Sequence, residues 1–503
     1  MAGKNHQLKI GALLSYLAIA LNIVVGLIYT PWIVEQIGQS QYGLYTLANS
    51  IIALFMIDLG LGTATSRYVS KLHADGDEEG VHRFLGAIYK LYIGIDAVIF
   101  TALIVFFFLL DKVYVKLTPA ELEQFKVVYV IAAGFNVINF PFVTLNGILT
   151  AYEKFIPLKL ADVIYRVLLV GLTVAALLMG YGLYGLVLIH AVAGLLTTVF
   201  KLICIKIQIP VRINFRNTDK SLYKDIFAFS LWATLASLAQ RLIFTISPSI
   251  LGAVSGSAAV AVFGVVVTIE GYTYIITNAI NGLFIPKVAR LYTEEDASEK
   301  ISKLLLTVGR FQYALEGLII VGFAVLGKEF IGLWMGEAYL DAYYGLLLVM
   351  IPGLFFNALQ IAQTAVILKN YMNYNAYITV ATGLINVILS FVFSSLWGAV
   401  GACVSICIAY LFRAVVFNVF YYKKMQLDIP TFAKKCYVRM SLPMLIAIGL
   451  GFVLTPMIPL GGWMGFVAKG AAVTVLYLVL VFAIGLDNRK AVLDKARSML
   501  RRH

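Results

Sequence analysis

The sequence predicts an all-α polytopic membrane protein of about fourteen transmembrane helices, with two six-helix lobes related by a parallel repeat and two extra C-terminal helices. Three observations predict it. The chain is 61% hydrophobic over 503 residues, and a soluble domain rarely exceeds about half. Charge-free runs recur at Ile10 to Val34, Ala97 to Leu110, Val167 to Phe200 and Ala376 to Phe412; about 20 apolar residues cross a hydrocarbon core of roughly 30 Å. Short motifs also return in the same order at a nearly constant offset. The runs are continuous rather than alternating, which disfavours spanning strands.

Taken in order, the expected spans are about 11–34, 42–66, 87–110, 127–150, 159–181, 183–205, 225–253, 257–285, 307–327, 343–368, 376–396, 398–421, 438–458 and 464–486. The opening "MAGKNHQLKIGALLSYLAIALNIVVG" is read as a retained first span. Its apolar run is too long for a signal peptide, and no small-residue cleavage site ends it. With the N-terminus, the even-to-odd loops and the C-terminus inside, 31 Lys and Arg fall on the cytoplasmic side. Only Lys112, Lys116, Lys126 and Lys328 fall outside. That asymmetry satisfies the positive-inside rule and places both termini in the cytoplasm. The net charge of +13 is then a topology signal and an attraction to an anionic inner leaflet. The tail "DNRKAVLDKARSMLRRH" is expected to lie along that surface. Nucleic acid is disfavoured as a partner, because no aromatic-basic interleaving accompanies the charge.

Cys403 and Cys407, four apart on one expected helix, suit packing better than a disulfide or a metal site; Cys204 and Cys436 also sit in or beside apolar segments. The longest outer loop, "DKVYVKLTPAELEQFK", is too short for an external catalytic domain. No phosphate-cradling Gly-Lys motif occurs, so ATP hydrolysis within the chain is not expected. The chain reads as a non-enzyme without metal or cofactor, with H⁺ or Na⁺ the candidate coupling ions.

The repeat rests on four pairs. "TPWIVEQIG" and "SPSILGAVSG" carry Pro31 and Pro248. "PFVTLN" and "PGLFFN" carry Pro141 and Pro352, each five residues before an Asn (Asn146, Asn357). "YGLV" pairs with "WGAV", and "YVSKL" with "KVARL". The offsets are 217, 211, 213 and 219. The period is six spans, and an even number restores orientation, which implies parallel repeats about an axis along the membrane normal. The expected parts are an N-lobe (1–210), a C-lobe (211–424), an added helix pair (425–486) and a basic tail (487–503). Two such lobes are expected to enclose a central cavity, with helices bent at the matched prolines.

At "PWIVEQIGQSQYGLYTL", "DLGLGTATSRYVSK" and "LNGILTAYEKF" the chain resembles the multidrug/oligosaccharidyl-lipid/polysaccharide (MOP) flippase superfamily, in its bacterial polysaccharide-transport (Wzx-like) branch. The resemblance implies translocation of an undecaprenyl-diphosphate-linked oligosaccharide from the inner to the outer leaflet of the bacterial cytoplasmic membrane. It also implies membrane lipids and polysaccharide polymerase machinery as partners. Fourteen spans resemble the lipid-linked precursor flippases, so spans 13 and 14 are the candidate groove for a lipid tail. A cation-coupled multidrug antiporter of the same superfamily is the alternative. A major facilitator is disfavoured by the acidic run in "KLHADGDEEGVHR". A membrane polymerase or ligase is disfavoured by the short outer loops.

Charge inside a membrane costs about 2.5–3.5 kcal/mol per residue on insertion scales and therefore needs a partner or a wet cavity. Arg241 is the deepest cation, in a stripe with Gln240, Ser237 and Thr234. It is either a ligand for the substrate diphosphate, which guanidinium forks match, or a structural partner of Glu270. Arg413 ranks second as a phosphate ligand. Arg166 is expected to pair with Asp162 four residues earlier, with cavity lining second. Lys469 is expected to snorkel to the interface. Asp58, Asp96, Glu270 and Glu316 are candidates for a coupling-ion site or for ion pairs, and His190 reads as a packed residue. Asp58 is the oddest, since its second-lobe counterpart near Thr277 and Asn278 carries no acid. Its two readings are a pair with Arg166 and a coupling-ion site.

Overall fold

The computed structural model describes residues 2–56, 58–215, 234–282, 284–369 and 371–485, apart from the side chains of residues 2–16, 18, 279 and 280. The expected surface helix at 487–503 and the first part of the expected span 225–253 lie outside the described residues. Among the described residues there is no strand. The helices run α1 Ala2–Ile37, α2 Gln39–Phe55, α3 Leu61–Ala74, α4 Glu78–Phe107, α5 Leu110–Val113, α6 Pro119–Asn139, α7 Thr144–Ala151, α8 Phe155–Leu178 and α9 Gly182–Gln208. After a helical stretch at 234–241 come α10 Ser247–Val254, α11 Ser257–Gly282, α12 Ile285–Tyr292, α13 Ala297–Trp334, α14 Asp341–Asn357 and α15 Gln360–Leu368. The last are α16 Met372–Lys423, α17 Ile429–Phe432, α18 Arg439–Leu454 and α19 Gly462–Leu480.

Eleven helical runs among the described residues are long and apolar enough to cross a membrane. The difference from the expected fourteen has a local origin. The expected span 42–66 is interrupted between α2 and α3, so neither piece is long enough alone. The span 225–253 is described only from residue 234 and is interrupted at 242–246. The spans 376–396 and 398–421 form one run, α16, with a kink at Trp397 and Gly398. Gly398 takes φ 54° and ψ −131°, a conformation open essentially to glycine alone.

The matched prolines do not occupy like positions in their helices. Pro31 and Pro352 lie inside continuous helices. Pro248 opens α10, and Pro141 opens a 3₁₀ turn between α6 and α7. At the start of a helical segment the missing N–H has no intrahelical partner to lose, so the ring costs little there.

The described residues fall into two compact units, one from 1–264 with 394–398, the other from 265–393 with 399–503. In the first, α8 packs on α9 and α1, α2 on α6, and α3 on α7 and α4. Its helix ends are tied by side chains. Thr118 and Glu121 form a capping box at the start of α6. Glu121 Oε1 also accepts 2.5 Å hydrogen bonds from Ser40 of α2 and Ser257 of α11. In the second unit α13 is the central element, packed against α14, α15, α18 and α19.

Candidate functional site

In the first unit the site grows out of two helix breaks. α2 ends at Phe55, and the chain turns through Leu59 (φ 51°) and Gly60 (φ 70°) before α3 begins at Leu61. Two successive left-handed residues stop a helix sharply, and the first turn of α3 is left with unpaired N–H groups. Asp58 supplies an acceptor: its Oδ2 takes the Gly62 N–H at 3.1 Å. Its Oδ1 accepts from the hydroxyl of Tyr92 on α4, which is fully buried. This accounts for a carboxylate in so apolar a stretch. It satisfies the backbone at a helix N-terminus, where the helix dipole also favours negative charge.

The second break follows Arg241, the last residue of the helical stretch 234–241. Ile246 N–H returns to the Arg241 carbonyl at 3.0 Å, and α10 restarts at Ser247. Ser50 of α2 donates to the Thr245 carbonyl inside this break, and its oxygen lies 3.3 Å from the Ser249 hydroxyl. The partly exposed Arg241 is within electrostatic reach of Asp58. Asp58 is thus an electrostatic neighbour of Arg241, while Arg166, its expected partner, donates to the Asn22 carbonyl. Arg241 and Glu270, the other expected pair, belong to different compact units.

Arg166 does not pair with Asp162. Its Nη2 donates to the Asn22 carbonyl of α1 at 3.0 Å, and Asp162 takes Lys159 at 3.5 Å. Lys159 is three residues away on the same helix and nearer its end, so the carboxylate is satisfied there while Arg166 turns inward. His190 of α9 lies between two tyrosines, with Nε2 2.7 Å from the Tyr45 hydroxyl and Nδ1 3.3 Å from that of Tyr165. Asp96 of α4 keeps one buried carboxylate oxygen without a hydrogen-bond partner.

In the second unit Arg413 of α16 is 6% exposed, and its guanidinium lies 4.4 Å from the centroid of the Phe356 ring. Tyr410 and Phe417 flank it at 5.7 Å, an aromatic cradle for a cation. Glu316 of α13 is buried and accepts from Asn357 Nδ2 at 3.0 Å. Glu270 of α11 is its electrostatic neighbour. The Nζ of Lys469 reaches both carboxylate oxygens of Glu329, at 3.0 and 3.1 Å, and ties α19 to α13. All four cysteines are free.

Sequence reasoning missed Tyr92, Gln312, Asn281 and Gln360. The spacing of Gln312 and Glu316, two polar residues four apart in an apolar helix, was the available signal.

The model of a family described as polysaccharide biosynthesis protein matches residues 8–292. No curated protein sequence matches the chain. Among solved structures, the fold resembles a lipid II flippase, MurJ, in an inward closed conformation, with a TM-score of 0.71 and 13% identity. That match covers 94% of this chain and 97% of the other. An inward-facing multidrug resistance MATE transporter of the MOP superfamily matches with a TM-score of 0.62 and 15% identity, over 84% of this chain and 99% of the other. An outward-facing MATE transporter matches with a TM-score of 0.54 and 18% identity, over 85% and 96%.

Proposed function

The chain belongs to the polysaccharide biosynthesis protein family, and from that premise we propose that it is a flippase for a lipid-linked oligosaccharide. In this reading it carries an undecaprenyl-diphosphate-linked oligosaccharide from the inner to the outer leaflet of the bacterial cytoplasmic membrane by alternating access, for surface polysaccharide biosynthesis. The observation that carries the reading is how much of the chain shares the flippase fold. The unmatched 6% is about 30 of 503 residues. α18 and α19 contain 16 and 19 residues, so the likeness extends into the C-terminal pair. The matched multidrug transporters cover 84–85% of the chain.

In the same proposal, residues 1–210 and 211–424 are the two repeats, and 425–486 add the pair that accommodates the lipid tail. Both termini are cytoplasmic. Arg241 binds the diphosphate, since it stays partly exposed at a helix break; Arg413 and Arg166 are the further candidates. Transport makes and breaks no bond in the cargo, so the chain acts without catalytic residues. The test is to deplete the protein in its host and measure which leaflet holds the lipid-linked oligosaccharide. Accumulation in the inner leaflet is expected. Unchanged outward delivery, with altered drug resistance instead, would refute the flippase reading in favour of an antiporter.

A further inference from the structure

Five polar side chains in the second unit form one directed hydrogen-bonded circuit. Gln312 Nε2 donates to Asn281 Oδ1 at 2.5 Å, and Asn281 Nδ2 donates to Gln360 Oε1 at 2.6 Å. Gln360 Nε2 donates to Asn357 Oδ1 at 3.3 Å, and Asn357 Nδ2 donates to Glu316 Oε1 at 3.0 Å. Gln312 and Glu316 lie on α13, Asn281 on α11, Asn357 at the end of α14 and Gln360 at the start of α15.

The carboxyl end dictates the sense. Glu316 Oε1 offers only lone pairs, so Asn357 must present its NH₂ and accept with its oxygen. The same choice then propagates through Gln360 and Asn281 to Gln312. Two oxygens remain at the ends of the chain, Gln312 Oε1 and Glu316 Oε2, each buried with no hydrogen-bond partner. They belong to residues 1% and 2% exposed, one turn apart on the same helix face.

A buried place with two acceptors and no donor lacks a hydrogen. We propose that Glu316 Oε2 carries a proton aimed toward Gln312 Oε1, closing the circuit, and that Glu316 is the proton-binding site of the second unit. The proton enters from water and returns to it, and no other bond changes. The proton site stands whatever cargo is moved.

The surroundings favour the neutral acid. The titratable neighbour within reach is another acid, Glu270 of α11. The hydroxyl of Tyr313 on α13 lies 2.5 Å from that of Ser441 on α18. Tyr477 of α19 donates to the Ala314 carbonyl, and Tyr437, just before α18, donates to that of Phe355. Arg413 of α16 lies over the Phe356 ring. Among the described residues no cation interacts with Glu316. An ionised Glu316 would be a buried, unpaired charge beside a second acid, which is strongly disfavoured.

The test is infrared difference spectroscopy of the purified full-length protein in detergent, titrated from acid to alkaline pH. Wild type is expected to lose a protonated-carboxyl C=O band. That band should be missing in Glu316→Gln and retained in Glu270→Gln. Because the amide of Glu316→Gln can donate to Gln312 and accept from Asn357, its thermal stability should match wild type at acid pH. It should also stay flat where wild type falls as the pH rises. Gln312→Leu leaves Glu316 in place but removes the acceptor, so proton affinity should drop about tenfold for the one lost hydrogen bond. An unchanged band in Glu316→Gln, or an unshifted titration in Gln312→Leu, would overturn the proposal. So would a site that is stabilised by Na⁺ and shows no carboxylic acid band.

Discussion

If Asp58 exists to satisfy a helix break, its removal must cost stability whether or not transport is measured. In Asp58→Ala the Gly62 N–H loses its acceptor, a capping loss of about 0.5–2 kcal/mol. The Tyr92 hydroxyl, fully buried, is left unpaired at a further cost of about 1–3 kcal/mol. The expected total is about 2–4 kcal/mol, since the two losses are not strictly additive. Asp58→Asn keeps one acceptor oxygen for two donors and should lose about half as much. Tyr92→Phe removes the donor as well as the bond and should cost about 0.5–1.5 kcal/mol. The decisive quantity is the coupling energy between Asp58→Ala and Tyr92→Phe. Interhelical hydrogen bonds measured in another membrane protein average about 0.6 and reach about 1.7 kcal/mol. A bond to a carboxylate in a buried setting should lie toward the upper end, at about 1–2 kcal/mol. SDS-driven unfolding in mixed micelles, followed by circular dichroism, measures all four corners of the cycle. An Asp58→Ala protein within about 0.5 kcal/mol of wild type, or a Tyr92→Phe cost unchanged by the absence of Asp58, would refute the account.

Arg241→Ala should abolish glycan export at unchanged protein abundance, and wild-type export would defeat its role as a phosphate ligand; Arg241→Lys should restore much of it if charge alone matters and little if the bidentate fork does. Gly147→Ala would place a Cβ 2.8 Å from the Gly62 carbonyl oxygen and 2.9 Å from Thr65 Cβ. The overlap, about 1–3 kcal/mol, should outweigh the roughly 1 kcal/mol gained in helix propensity, so stability equal to or above wild type in the same unfolding assay would count against close packing of α3 on α7. Lys469→Ala should cost about 1–3 kcal/mol by leaving half-buried Glu329 unpaired, and the exchange Lys469→Glu with Glu329→Lys should recover part of it; an equal loss in both would mean that packing, not charge, joins α19 to α13.

The membrane class and many of the span positions were legible because hydrocarbon demands long apolar runs, and length is visible in one dimension. The boundary between the expected spans 376–396 and 398–421 falls at the Gly398 kink, because glycine marks such sites. The break between α2 and α3 was half visible: Gly60 stands in it, but Leu59 in a left-handed conformation follows no propensity. Partner choice was the least legible. Asp162 and Arg166 have the favoured acid-first spacing, yet Asp162 takes Lys159 within its own helix and Arg166 takes the Asn22 carbonyl of a neighbouring one. The amide circuit around Glu316 joins residues from 281 to 360, and spacing along one helix could have pointed to only two of its five members.

The two breaks in the first unit suggest why their charged residues have the signs they do. A helix that stops inside a membrane exposes N–H groups at a beginning and C=O groups at an end, and no water is at hand to pair them. Asp58 stands at a beginning, where the dipole is positive, and Arg241 at an end, where it is negative. Each side chain is thus favoured by its own helix end and by the other. Asp58 has Gly62 and Tyr92 as its donors and does not depend on the guanidinium to be satisfied. Glu316, surrounded by amides, has no cation to release, and the change of state open to it is the gain or loss of a proton.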